Sequence, residues 1–170
     1  MSATLKNFTL DFKNEVEEIF FESSAKKDFK TPEEKEAFYY KYLGFYLDKY
    51  PDLALVAEGQ RVFGYTVGAL DSKDHDLQKL QPHLNLFQEF FDKFPAHLHI
   101  NCHALSRGMG IGSLLIKELE KLFKMHGAIG YHIMTSPDAR SRDFYRKLGL
   151  NFEVIREFNG GQILFMGKTF

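Results

Sequence analysis

Apolar and polar positions alternate most cleanly from Ala96 to Cys102. There Leu98, Ile100 and Cys102 interleave with His97, His99 and Asn101, and His103 continues the polar series. A period of two predicts a strand with one apolar and one polar face. From Ile111 the pattern turns helical, with Ile111, Leu114, Leu115, Leu119, Leu122 and Phe123 on one side and Lys117, Glu120, Lys121 and Lys124 largely opposite. Gly127 reads as the residue just past that helix, with Lys124 and His126 suited to its negative end. Upstream, alternation predicts a strand over 5–10, and helical spacing a helix over 11–26 carrying Phe12, Val16, Ile19, Phe20 and Ser23. Thr31-Pro32-Glu33-Glu34 reads as a helix start, with Thr31 as N-cap and a glutamate placed for a capping box, and this helix extends to Tyr46. Strands follow over 53–58 and 62–69, a polar loop over 71–80, and a short aromatic helix over 84–94 that Pro95 stops. The chain then gives a strand over 129–135, a helix over 138–148 ended by Gly149, and a hairpin of 152–158 with 162–169 turned at Asn159-Gly160. That succession predicts one α/β domain over residues 1–170.

Between the central strand and helix lies Arg107-Gly108-Met109-Gly110-Ile111-Gly112. Glycines remove the side chains that would keep a phosphate from main-chain N–H groups. The first turn of a helix leaves about four such donors, backed by roughly half a positive charge. Two glycine-spaced turns suit a pyrophosphate better than a single charge. A dinucleotide fold would want further βαβ units and an acid about 20 residues on, which are missing. No Gly-Lys-Ser/Thr follows, so a P-loop is also excluded.

Arg107-x-x-Gly110-x-Gly112 resembles the acyl-CoA pyrophosphate loop of the GNAT family of N-acetyltransferases. The later run Asp138-Ala139-Arg140-Ser141-Arg142-Asp143-Phe144-Tyr145-Arg146-Lys147-Leu148-Gly149-Leu150 resembles that family's second motif, N-x-x-A-x-x-F-Y-x-x-x-G-F. The resemblance covers residues 52–170. It implies a single GNAT-like α/β domain, with a mixed twisted sheet whose central parallel strands splay apart, flanked by helices. It also implies acetyl-CoA as acyl donor. The thioester arm would lie along Cys102, His103 and Ala104, and the pyrophosphate on Arg107, Gly108, Met109, Gly110, Ile111, Gly112 and Ser113. Asp138, Ser141, Phe144 and Tyr145 would flank the far side. The string from Pro95 to Ile100, together with the aromatic segment before it, is similar to GNAT proteins related to the acetyltransferase-like domain of O-GlcNAc hydrolases.

Composition narrows the classes. A chain of 170 residues, 44% apolar and 26% charged, is an ordinary single-domain length and content. A net charge of −1 gives no footprint for nucleic acid or an anionic membrane. Cys102 is the one cysteine, so no internal disulfide forms. The first residues lack an apolar leader pattern and no run reaches membrane-span length, so the cytoplasm is the expected location.

Moving an acyl group from a thioester to an amine requires a neutral amine, a donor for the oxyanion and an acid for the leaving thiolate. The resemblance puts Tyr145 where the family commonly keeps a tyrosine as that acid; the alternative is a core tyrosine beside Phe144. A main-chain N–H near Cys102 or His103 is the simplest oxyanion donor. His99 is the first choice of base, against a histidine merely hydrogen-bonded beneath the N-terminal helices. Relatives with the His-Leu-His-Ile string often continue with aspartate; here the residue is Asn101, which can orient a substrate or water but cannot act as a base. Zinc on His97, His99 and His103 lacks a carboxylate or second thiol, so no metal is expected. Cys102 falls on the apolar face and reads as structural. Arg140, Arg142, Arg146 and Lys147 could meet a nucleotide 3′-phosphate or form a solvated face. Phe20, Phe21, Tyr39, Tyr40, Phe87, Phe90 and Phe91 could frame an acceptor pocket, with core packing the plainer reading for most. The expected activity is direct transfer of acetyl from acetyl-CoA to a small-molecule or peptide amine in a ternary complex. The rival is an acyl-CoA-binding module that has lost transfer. The acceptor and oligomeric state, a homodimer included, stay open.

Overall fold

The computed structural model describes residues 3–170. Seven strands form a sheet in the order β1-β2-β3-β4-β5-β7-β6. They are β1 (Thr4–Asn7), β2 (Ala54–Glu58), β3 (Val62–Ala69), β4 (Ala96–Cys102), β5 (Gly130–Thr135), β6 (Phe152–Phe158) and β7 (Gly161–Thr169). β4 and β5 run parallel, whereas the β1–β2, β2–β3, β5–β7 and β6–β7 pairs are antiparallel. The chain forms two compact units: residues up to Gly68 with His99–Leu122, and Ala69–Leu98 with Phe123–Phe170.

In the first unit β1 stops at Asn7, earlier than alternation suggested, and a 3-10 turn at Leu10–Phe12 leads into α1 (Lys13–Ser23). Val16, Ile19 and Phe20 are its buried residues. α2 (Pro32–Tyr39) starts where the capping residues placed it, with Thr31 Oγ1 accepting the Glu34 N–H at 3.2 Å. The Glu34 carboxylate takes the Lys30 N–H at 2.6 Å, so the box closes one residue before the cap. Instead of continuing uniformly to Tyr46, the helix widens into a π segment at Tyr40–Gly44 and resumes as α3 (Phe45–Lys49). A Cβ on Gly44 would stand 3.1 Å from both the Tyr39 and Tyr40 rings, so glycine is what this turn accommodates. Tyr42 and Tyr46 both pack on His99, with ring centroids 6.2 and 5.1 Å away.

α5 (Ile111–Met125) buries Ile111, Leu115, Ile116, Leu119 and Phe123. Leu114, expected inside, is 42% exposed, and Glu120, expected outside, is buried. At 100° per residue the buried stripe centres near Leu119, which leaves Leu114 well off it and Glu120 at its margin.

In the second unit the segment 71–80, expected as loop, contains α4 (His75–Leu80). Asp74 caps it by accepting the Leu77 N–H at 3.0 Å, and Leu77 is fully buried. The aromatic stretch is a 3-10 helix, Pro82–Phe90, kinked at Phe87, rather than an α-helix over 84–94. Phe87 and Phe90 pack on Phe165 at 5.2 and 5.5 Å, so packing around β7 sets this irregular path. α6 (Arg142–Lys147) is shorter than the predicted 138–148. The hairpin turn is where it was placed, with Asn159 at φ 50° and Gly160 at φ 77°. Among the described residues no helix is long and apolar enough to cross a membrane.

Candidate active site

The parallel register between β4 and β5 spans two pairs, Ala96 opposite Tyr131 and His97 opposite His132. On its other edge β4 meets β3: the His103 N–H donates to Phe63 O at 2.9 Å, and Thr66 Oγ1 donates to His99 O at the same distance. Main-chain groups of successive strand residues point to opposite edges. Asn101 therefore directs its N–H and C=O towards β3, as His103 does its N–H, and Cys102 directs its own away. The His103 N–H is thus taken up by β3, while that of Cys102 is directed to the other edge.

β4 ends in a 3-10 turn, Ala104–Ser106. The buried Ser106 hydroxyl donates to Phe63 O and His103 O, both at 2.8 Å, and so ties the turn to β3. Arg107 and Met109 then use their N–H groups within the loop, on Ala104 O at 3.4 Å and Ser106 O at 3.1 Å. Gly108 and Gly110 stand at φ 78° and 77°, and a Cβ on either would meet nothing within 4 Å. Positive φ at alternate residues is the arrangement in which successive N–H groups line a concavity. Beyond it the first turn of α5 leaves the N–H groups of Ile111, Gly112 and Ser113 without carbonyls of their own helix.

The polar face of β4 is held residue by residue. His99 Nε2 lies 3.0 Å from the Tyr46 hydroxyl, and Tyr46 is fully buried. Asn101 Nδ2 donates to the Tyr65 hydroxyl at 2.7 Å. His103 Nδ1 accepts the Leu105 N–H at 3.1 Å, which leaves the proton on Nε2, 3.9 Å from a Glu22 oxygen. Glu18, Glu22 and His103 gather within 4.8 Å, a trio the spacing in sequence did not suggest. With Nδ1 already accepting, Nε2 offers Glu22 a proton rather than a metal a lone pair. His97 turns elsewhere, its Nδ1 2.8 Å from the Ser72 hydroxyl. Burial pushes the Cys102 thiol up to about 11, as suits a structural cysteine.

In the second motif Tyr145 is 9% exposed, with Phe144 packed edge-on at 5.2 Å, and Ser141 O accepts the Tyr145 N–H. Asp138 is exposed. Arg142 and Arg146 both bind Glu153 on β6, at 2.5 Å each, which commits two of the four cations considered for a 3′-phosphate. That pair of charges holds the Glu153 carboxyl down to about 2, Arg146 contributing most. Of the aromatic residues, Phe20, Phe21 and Tyr39 cluster on α1 and α2, while Phe87, Phe90 and Phe91 belong to the packing around Phe165 and His132.

A parallel strand, a glycine turn and a helix follow one another here within the mixed sheet of an α/β protein. The model of the acetyltransferase (GNAT) family matches residues 14–150, and the chain belongs to that family. Among solved structures, SsHAT is 21% identical with a TM-score of 0.77, covering 99% of this chain and 98% of its own. A GNAT superfamily phosphinothricin acetyltransferase from Sinorhizobium meliloti, solved with AcCoA, is 18% identical with a TM-score of 0.63 over 99% and 89% of the two chains. Ribosomal-protein-alanine N-acetyltransferase from Brucella melitensis is 17% identical with a TM-score of 0.67 over 98% and 99%. At these identities the likeness is one of fold. No curated protein sequence matches the chain.

Proposed function

We propose that this protein transfers an acetyl group from acetyl-CoA directly to a primary amine. The observation that carries the reading is the open glycine turn, where Gly108 and Gly110 hold positive φ with clear space in front of them, followed at once by the first turn of α5. Membership of the GNAT family supports acyl transfer as the general chemistry. Gly108, Gly110, Ile111, Gly112 and Ser113 would hold the pyrophosphate by main-chain amides, since Arg107 and Met109 use theirs internally. When bound, the thioester supplies an activated acyl carbon. The Cys102 N–H, directed away from β3, would stabilise negative charge developing on the acyl oxygen. His99, fixed by Tyr46, would accept a proton from the amine, directly or through water. Tyr145 would return a proton to the thiolate, and Asp138, Ser141 and Phe144 would line the remainder of the donor site. The further likeness to the O-GlcNAc hydrolase-associated subgroup rests on the string from Pro95 to Ile100 and the aromatic segment before it.

Asn101 favours a second reading, an acyl-CoA-binding module without transfer, because its amide cannot serve as a base. Two measurements separate the readings. CoA at 100 times its dissociation constant should stabilise the fold by about 2.7 kcal/mol, and NAD should not. Thiol release from acetyl-CoA across a panel of amines, in the parent and in Tyr145→Phe, then separates enzyme from module. Stabilisation by CoA with no thiol release to any amine would leave the module standing.

A further inference from the structure

Tyr65 lies in the middle of β3 and is 1% exposed, yet it carries a hydroxyl where phenylalanine would fill the same space. Burying a hydroxyl is unfavourable unless it finds a hydrogen bond. Its partner is the half-buried Asn101 amide on the neighbouring strand, whose Nδ2 donates to it at 2.7 Å. A planar amide pinned by one N–H has its oxygen fixed in direction as well. Burial pushes the Tyr65 phenol well above its ordinary range, and an amide does not titrate, so the arrangement persists across the working pH. β3 also fixes the backbone beneath: a Cβ on Gly64 would stand 3.0 Å from both Asn101 O and Cys102 Sγ, so the two strands meet closely at this point.

We infer that Tyr65 is a positioning residue for the acceptor: it orients the Asn101 amide so that Oδ1 takes an N–H of the incoming amine. The inference rests on the transfer reading above. A neutral amine that gives one N–H to a fixed carbonyl oxygen has its lone pair aimed rather than tumbling. Asn101 thereby acts as an orienting group where an acid would act as a base, and proton removal is left to His99. The same contact would not order a tertiary amine, which has no N–H to give.

The test is a double-mutant cycle on thiol release, using the best amine of the panel with the parent, Tyr65→Phe, Asn101→Ala and the double variant. Each single change should lower kcat about tenfold, the double variant should be no worse than Asn101→Ala, and KM for acetyl-CoA should stay unchanged. Losses that multiply in the double variant, or a Tyr65→Phe effect confined to thermal stability, would overturn the assignment. The side-chain amide protons of Asn101, followed by NMR without turnover, give a second reading. One of the pair should exchange slowly in the parent and lose that protection in Tyr65→Phe. Equal, unprotected protons in the parent would refute the contact itself. A parent that releases no thiol to any amine would refute both the transfer reading and Tyr65's role in it, whereas release that Tyr65→Phe leaves unchanged refutes only the latter.

Discussion

Gly110 and Gly127 make a matched pair. They stand at φ 77° and 81°, and neither has an atom within 4 Å of where a Cβ would go. Alanine at either site therefore meets no clash, and the penalty is purely that of a left-handed backbone, about 1–2 kcal/mol. For a protein of this size that corresponds to a fall in Tm of roughly 2–8 °C, at about 2–4 °C per kcal/mol. The two sites differ in what the strain disturbs. Gly127 closes α5 at its far end, its N–H bonded to Lys124 O at 3.0 Å. Gly110 sits in the turn assigned to the pyrophosphate, where relaxing φ rotates donors out of line. A hydrogen bond to a charged group contributes about 1.5–3 kcal/mol, so losing one should weaken CoA about 10- to 150-fold. Titration calorimetry with CoA, beside thermal melts of Gly110→Ala and Gly127→Ala, reads both effects. Similar melting losses with CoA affinity lost in Gly110→Ala alone are expected. Equal weakening in both variants, or none in either, would refute the reasoning.

Two further predictions concern single groups. Glu153 is held at about 2 by Arg146 and Arg142, so its contribution is complete above the ordinary carboxylate range and disappears as pH falls towards 2. Glu153→Gln should melt lower than the parent at pH 7 and converge with it in strong acid; parallel curves throughout would contradict the pairing. Cys102, with its thiol raised to about 11, should alkylate slowly at pH 8 and faster as the pH climbs towards that value. Modification at pH 8 as rapid as in the denatured chain would show the thiol to be unshielded.

Local chemistry was legible wherever it was also sufficient. Thr31 and Pro32 started α2, Asn159-Gly160 turned the last hairpin, and Arg107 to Gly112 placed a turn before a helix. α4 escaped because six residues are too few to display a period, and its cap, Asp74, looks like any other acid in a polar run. The π segment was hidden because no residue type in Tyr40–Gly44 marks a widened turn, and the closeness of the Tyr39 and Tyr40 rings to Gly44 shows only in the fold. Arg142 and Arg146 read as solvated or phosphate-seeking until β6 brought Glu153 to them. Asn101 was visible as an amide where the resemblance led one to expect an acid, but Tyr65 lies 36 residues away in the chain and only the β3–β4 pairing joins them. The main-chain accounting of His103 and Met109 also required the fold, since their N–H partners, Phe63 and Ser106, are not set by residue type.

The turn at 107–113 is where a ligand's phosphates are expected to meet main-chain amides, and a crystal structure of the protein with CoA examines that directly. Both phosphates of the pyrophosphate should lie within hydrogen-bond distance of the N–H groups of Gly108, Gly110 and the first turn of α5, with the pantetheine arm meeting β4 at Cys102. A pyrophosphate bound elsewhere, with those amides facing only solvent, would contradict it.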